Sequence, residues 1–96
     1  MAEVRLSTQA EKDLDAVLAY YDEVAPDFSE VFESNLLAKL RLLEDFPRMG
    51  RRVPEIGDDA LREVIYRSYR VIYHVDADDE VVEVLTLLHG SREFGG

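Results

Sequence analysis

The spacing of apolar and polar positions changes period twice along this 96-residue chain. It opens with a period of two, Val4 and Leu6 alternating with Glu3 and Arg5, which predicts a short strand. The period then lengthens to that of a helix. Ala10, Leu14, Val17, Leu18, Tyr21 and Val24 fall on one face, and Glu11, Lys12, Asp15, Asp22 and Glu23 are left for water. Thr8 and Glu11 stand at capping-box spacing, so Thr8 is the expected start of this helix. "VAPD" ends it, because proline disfavours helical geometry in the residue before it yet suits the first turn of a new helix. The second helix is predicted over Pro26 to Asp45, with Phe28, Phe32, Leu36, Leu40 and Leu43 on one stripe and Val31 and Leu37 widening it. Phe46-Pro47 closes it.

The period returns to two in the second half. "RMGRRVPEIGDDA", residues 48–60, has no apolar period and reads as a turn-rich connection. "LREVIY" (61–66) and "YRVIYHV" (69–75) read as strands, the latter with Tyr69, Val71, Tyr73 and Val75 on one face against Arg70, Ile72 and His74 on the other. "DADDE" fits a tight reversal. "VVEVLTLLH" (81–89) is apolar on both parities except at Glu83 and Thr86, as expected of a strand covered on both faces. The order β-α-α-β-β-β predicts one α+β domain over residues 1–96, an antiparallel helical hairpin packed on one face of a small, mostly antiparallel sheet.

Charge narrows the choice of partners. The net charge of -10 argues against general binding of polyanions, which depends on lysine and arginine neutralising phosphates. The charge is segregated, however: residues 48–70 hold six arginines against four acids, and the remainder five basic against seventeen acidic residues. A small basic patch on an acidic body is expected, unless those arginines pair with the neighbouring acids. The acidic excess with only two lysines also matches adaptation to high salt. There is no cysteine, no basic-then-apolar leader and no run of about 18 apolar residues, so a cytoplasmic protein without membrane contact is expected.

Candidate chemistry is sparse. Nucleotide-loop and metal motifs are missing, and two histidines cannot make a histidine-rich metal site, so neither metal nor cofactor is expected. One constellation survives. RNA cleavage through the 2'-hydroxyl needs a base, a cation for the phosphorane and an acid for the leaving oxygen, and Glu55, Arg70 and His89 have those functions. The structural alternative for His89 is a ring that closes the strand end, one nitrogen on a backbone carbonyl. Arg70, on an inner strand, needs an anionic or carbonyl partner in either case. Tyr66, Tyr69 and Tyr73 read as packing residues. The strand register decides whether Arg70 and His89 share a face, and opposite faces would exclude the nuclease arrangement.

"VRLSTQAEKDLDAVLAYY", "LEDFPRMGRRVPE" and "YRVIYHVDADDEVVEVLTLLHGSR", in this order and spacing, closely resemble the ParE/RelE superfamily, the toxins of bacterial type II toxin-antitoxin modules. The resemblance runs from Val4 to about Phe94 and implies a helical hairpin against an antiparallel sheet. It also implies two possible activities. ParE-like members inhibit DNA gyrase; RelE-like members cut messenger RNA on the ribosome. Matching to the YoeB-type nucleases puts Glu55 at the general base, Arg70 at the phosphate-stabilising arginine and His89 at the C-terminal histidine. The tyrosine that follows that histidine is Gly90 here, and the lysines of other RelE-like nucleases have no counterpart. "HGSR", "FPRMGRRVPE" and the acidic charge favour the ParE side. A chain that keeps the fold only to bind an antitoxin, without toxicity, is a third possibility. Either toxin class implies a cognate antitoxin, ParD-like or related, wrapped over helices and sheet, and Arg51, Arg52, Arg62 and Arg67 are the arginines suited to receive its acidic side chains.

Overall fold

The computed structural model describes residues 1–95 and has β1 (Glu3–Leu6), α1 (Thr8–Val24), α2 (Pro26–Asp45), β2 (Arg51–Arg52), β3 (Leu61–Tyr66), β4 (Tyr69–Val75) and β5 (Val81–His89) in that order. The strands form one sheet ordered β1-β5-β4-β3-β2, in which β1 runs parallel to β5 and every other pair is antiparallel. This is the expected α+β arrangement with one added strand. β2 escapes a reading by period because it is two residues long and both are arginines.

The helical hairpin covers one face of the sheet. Phe32, Leu36, Leu40 and Leu43 of α2 and Ala10 and Leu14 of α1 join Val64, Tyr66, Val71, Tyr73, Val75, Val82, Val84 and Leu87 in a single core. Full burial of each large aliphatic or aromatic side chain here contributes about 1.5–3 kcal/mol. The buried stripe of α2 is narrower than predicted: Val31 and Leu37 are exposed, as is Val24 at the end of α1. A two-helix layer on a five-stranded sheet leaves the outer flanks of both helices in water.

Helix α1 starts at Thr8 as expected, but the residue that caps it is not the one the capping-box spacing indicates. Ser7, not Thr8, is the N-cap, its hydroxyl accepting from Ala10 N–H at 3.1 Å and donating to the Leu85 carbonyl at 2.8 Å. The sheet sets this position, because Ser7 N–H still donates to Val84 O at 2.8 Å and holds the residue in an extended conformation. One hydroxyl therefore serves the helix start and the edge of β5 together. Further along that edge, where β1 has ended, Asp13 of α1 accepts from the Thr86 hydroxyl and from Leu87 N–H.

The apolar parity of β5 has a different cause from the one predicted. Ile72 lies opposite Thr86 while Tyr73 lies opposite Val84, so Leu85 is an extra residue in a bulge. The bulge shifts the strand's parity, and Val82 and Val84 before it and Leu87 after it all face the helices. The other face of β5 is only half covered, at Val81, Glu83 and Leu85. Over β3 and β4 that second face is closed by the connection after β2, where Val53 and Ile72 are both fully buried.

Candidate functional site

Arg70 lies on the sheet face away from the helices. In β3 its cross-strand neighbour is Ile65, and Glu63, opposite Ile72, lies one diagonal step away within reach of a long side chain. Glu55 approaches the same face from the connection between β2 and β3. Arg70 Nη2 donates to Glu63 Oε1 at 2.6 Å and its Nε shares the same carboxylate at 3.2 and 3.3 Å. Glu55 is gripped by both terminal nitrogens, Nη1 to Oε2 at 2.7 Å and Nη2 to Oε1 at 2.8 Å. Nη1 also donates to the backbone carbonyl of Arg92 at 2.8 Å. A guanidinium has five N–H donors, and all five are used. The anionic and carbonyl partners that an inner-strand arginine requires are thus both present.

Glu63 is the member that the sequence reading missed. Its side chain has no solvent exposure, and it also takes Arg51 Nη2 on Oε2 at 3.1 Å. The signal available was an acid directly before the apolar "VIY" end of a strand next to the strand of Arg70. Arg70 is held firmly protonated, first by its bonds to Glu55 and then by those to Glu63. Glu55, about one quarter exposed, is lowered from 4.5 to about 2, chiefly by the Arg70 bonds and next by Phe94 N–H, which donates to its Oε2 at 3.0 Å. A carboxyl lowered on folding contributes stability that is complete above its ordinary value and is lost as pH falls toward its folded one. Wild-type protein should therefore lose more stability than Glu55→Gln as pH falls from about 4.5 to about 2, and thermal melts of both across that range check it.

His89 does not join this cluster. It pairs with Tyr69 while Arg70 pairs with Leu88, so His89 and Arg70 lie on opposite faces. The imidazole stands edge-on to the Tyr69 ring, centroids 6.0 Å apart, with Nδ1 2.9 Å from the Ser91 hydroxyl rather than on a backbone carbonyl. Of the three residues matched to a nuclease, Glu55 and Arg70 are brought together and His89 is placed across the sheet. Gly90 follows directly. Its N–H donates to Ser68 O at 2.7 Å, and a Cβ there would come within 3.2 Å of that same oxygen, so any larger residue, tyrosine included, would press on the β3–β4 turn.

The arginine-rich segment is mostly neutralised from within. Arg48 bonds Asp59 and Asp79, and Arg62 bonds Asp59 and the carbonyls of Arg48 and Gly50. Arg67 adopts the left-handed conformation at φ 52°, which costs an ordinary side chain about 1–2 kcal/mol. Its guanidinium lies 4.9 Å over Phe28 and 5.6 Å over Tyr66, tying the turn to the start of α2. Arg51 is largely exposed while holding Glu63. Arg52 is exposed and makes no side-chain hydrogen bond or ion pair among the described residues. Beyond Glu63 the outer edge of β3 has no strand partner among the described residues, and a groove lined by Lys39, Met49, Arg51, Val64 and Ile65 runs beside it.

Comparison with known proteins agrees with this architecture. The family described as "ParE toxin of type II toxin-antitoxin system, parDE" matches residues 4–94. A solved structure described as "Chromosomal ParDE TA system from P. aeruginosa" superposes with a TM-score of 0.74 at 16% identity, covering 93% of this chain and 96% of that one. A search of curated proteins finds no match.

Proposed function

Since the chain belongs to the ParE toxin family of type II toxin-antitoxin systems, we propose that it is a gyrase-directed toxin, active in the cytoplasm and neutralised by a cognate antitoxin. The observation that carries the choice against a ribosome-dependent nuclease is the saturation of Arg70. With all five donors engaged by Glu55, Glu63 and Arg92, it has none to offer a phosphorane oxygen, and His89, the histidine of the nuclease match, lies on the opposite face. Charge adds to this, since a protein of net charge -10 is repelled at long range by the ribosomal polyanion. No helix among the described residues is long and apolar enough to cross a membrane. Controlled expression without the antitoxin should arrest growth with broken or relaxed DNA and intact messenger RNA. Arrest with cleaved messenger RNA would favour the nuclease, and unaffected growth would favour a non-toxic antitoxin-binding module.

For the antitoxin, the free edge of β3 and its apolar groove between Lys39 and Arg51 suit an extended acidic segment that adds a strand. Arg52 and Arg51 are then the arginines available to it, while Arg62 and Arg67 act mainly inside the fold. Arg51→Glu combined with Arg52→Glu should weaken the complex about tenfold or more, measured by titration calorimetry with the purified antitoxin. Unchanged affinity would remove this edge from the interface. Arg62→Glu should instead lower stability, because its partners are internal.

A further inference from the structure

Residues 90–95 belong to no helix or strand. They leave β5 through Gly90, fold into a turn closed by Arg92 N–H on His89 O at 2.9 Å, and then lie back over the face of the sheet that carries Arg70. Beyond that turn, two hydrogen bonds tie them to the body of the protein: Arg70 Nη1 to Arg92 O at 2.8 Å, and Phe94 N–H to Glu55 Oε2 at 3.0 Å. Both end on the same ion pair. The cluster has two tiers. Glu63 and Arg70 are buried, with side-chain exposures of 0% and 7%, whereas Glu55 on the outer side is 24% exposed. Breaking the outer tier leaves the buried pair intact. The cluster is also indifferent to side-chain identity in the tail, since it reads a carbonyl and, two residues later, an N–H.

We propose that residues 90–95 are a strap latched by the Glu55–Arg70 pair, one that opens as a unit without unfolding the sheet. Glu55 and Arg70 are positioning residues in this role, and it holds whichever cellular target the protein has. Opening withdraws the Arg92 carbonyl and returns an Arg70 N–H and the adjoining sheet face to solvent.

Amide hydrogen exchange by NMR on the full chain tests it. In the wild type, Phe94 should be protected, and its protection should hardly change with low denaturant, as a small local opening exposes little surface; amides of β4 should respond steeply. Glu55→Ala should speed Phe94 exchange roughly 10- to 100-fold, the factor for a lost charge-assisted hydrogen bond, while Tyr73 and Val84 exchange as before. Arg92→Ala should leave Phe94 protected, because the latch uses its carbonyl. An unprotected Phe94 in the wild type would overturn the proposal. So would unchanged Phe94 exchange in Glu55→Ala, or acceleration of tail and core by one common factor.

Discussion

Arg70→Ala should destabilise the protein by about 3–5 kcal/mol, the range for breaking a buried ion pair from one side. Glu63, without solvent exposure, would keep only one nitrogen of the largely exposed Arg51. Glu55 and the Arg92 carbonyl would lose their donors in the same step. Against a total stability of about 5–15 kcal/mol for a domain of this kind, that is enough to leave the variant partly unfolded at physiological temperature. Urea denaturation measures it. Replacing the buried pair together, as Arg70→Met with Glu63→Leu, should recover much of the loss, because the cost lies in the stranded carboxylate. A loss below about 1 kcal/mol for Arg70→Ala would mean that the cluster is not what holds this face of the sheet. It follows that loss of activity in an Arg70 variant says nothing about catalysis until folding has been measured.

Gly50→Ala should cost about 1–3 kcal/mol or more through overpacking, although it adds a single methyl group. A Cβ at Gly50 would stand 2.4 Å from the Glu63 carbonyl oxygen and 2.7 Å from the Tyr73 hydroxyl. Neither neighbour can withdraw easily. Glu63 is inside β3, held by β4 on its far side, and Tyr73 is fully buried, its hydroxyl accepting from Gly50 N–H at 3.0 Å. The requirement is for space, since a close approach of two backbones is what starts β2. A Gly50→Ala variant as stable as the wild type in urea would contradict this packing.

Most of the fold was legible in the sequence because its elements are long enough to show a period. Helix α2 and strands β3, β4 and β5 have the boundaries that their apolar spacing predicts. What escaped is what a period cannot encode. A two-residue strand has no alternation, and Ser7 rather than Thr8 caps α1 because the sheet, distant in sequence, fixes Ser7. The bulge at Leu85 made the strand look covered on both faces when it had changed parity. At the site, Glu55 and Arg70 were marked and do meet, but the register that sets His89 across the sheet is a property of strand pairing. Glu63 went unmarked because an acid in a strand reads as solvent-facing until its neighbour's arginine is placed beside it.

The most direct measurement is the supercoiling of relaxed plasmid by purified DNA gyrase in the presence of this protein, with ribosome-dependent cleavage of messenger RNA assayed on the same preparation. A gyrase-directed toxin blocks supercoiling or accumulates cleaved DNA, is relieved by the antitoxin, and leaves the RNA whole. Supercoiling at the uninhibited rate together with cut RNA would contradict it.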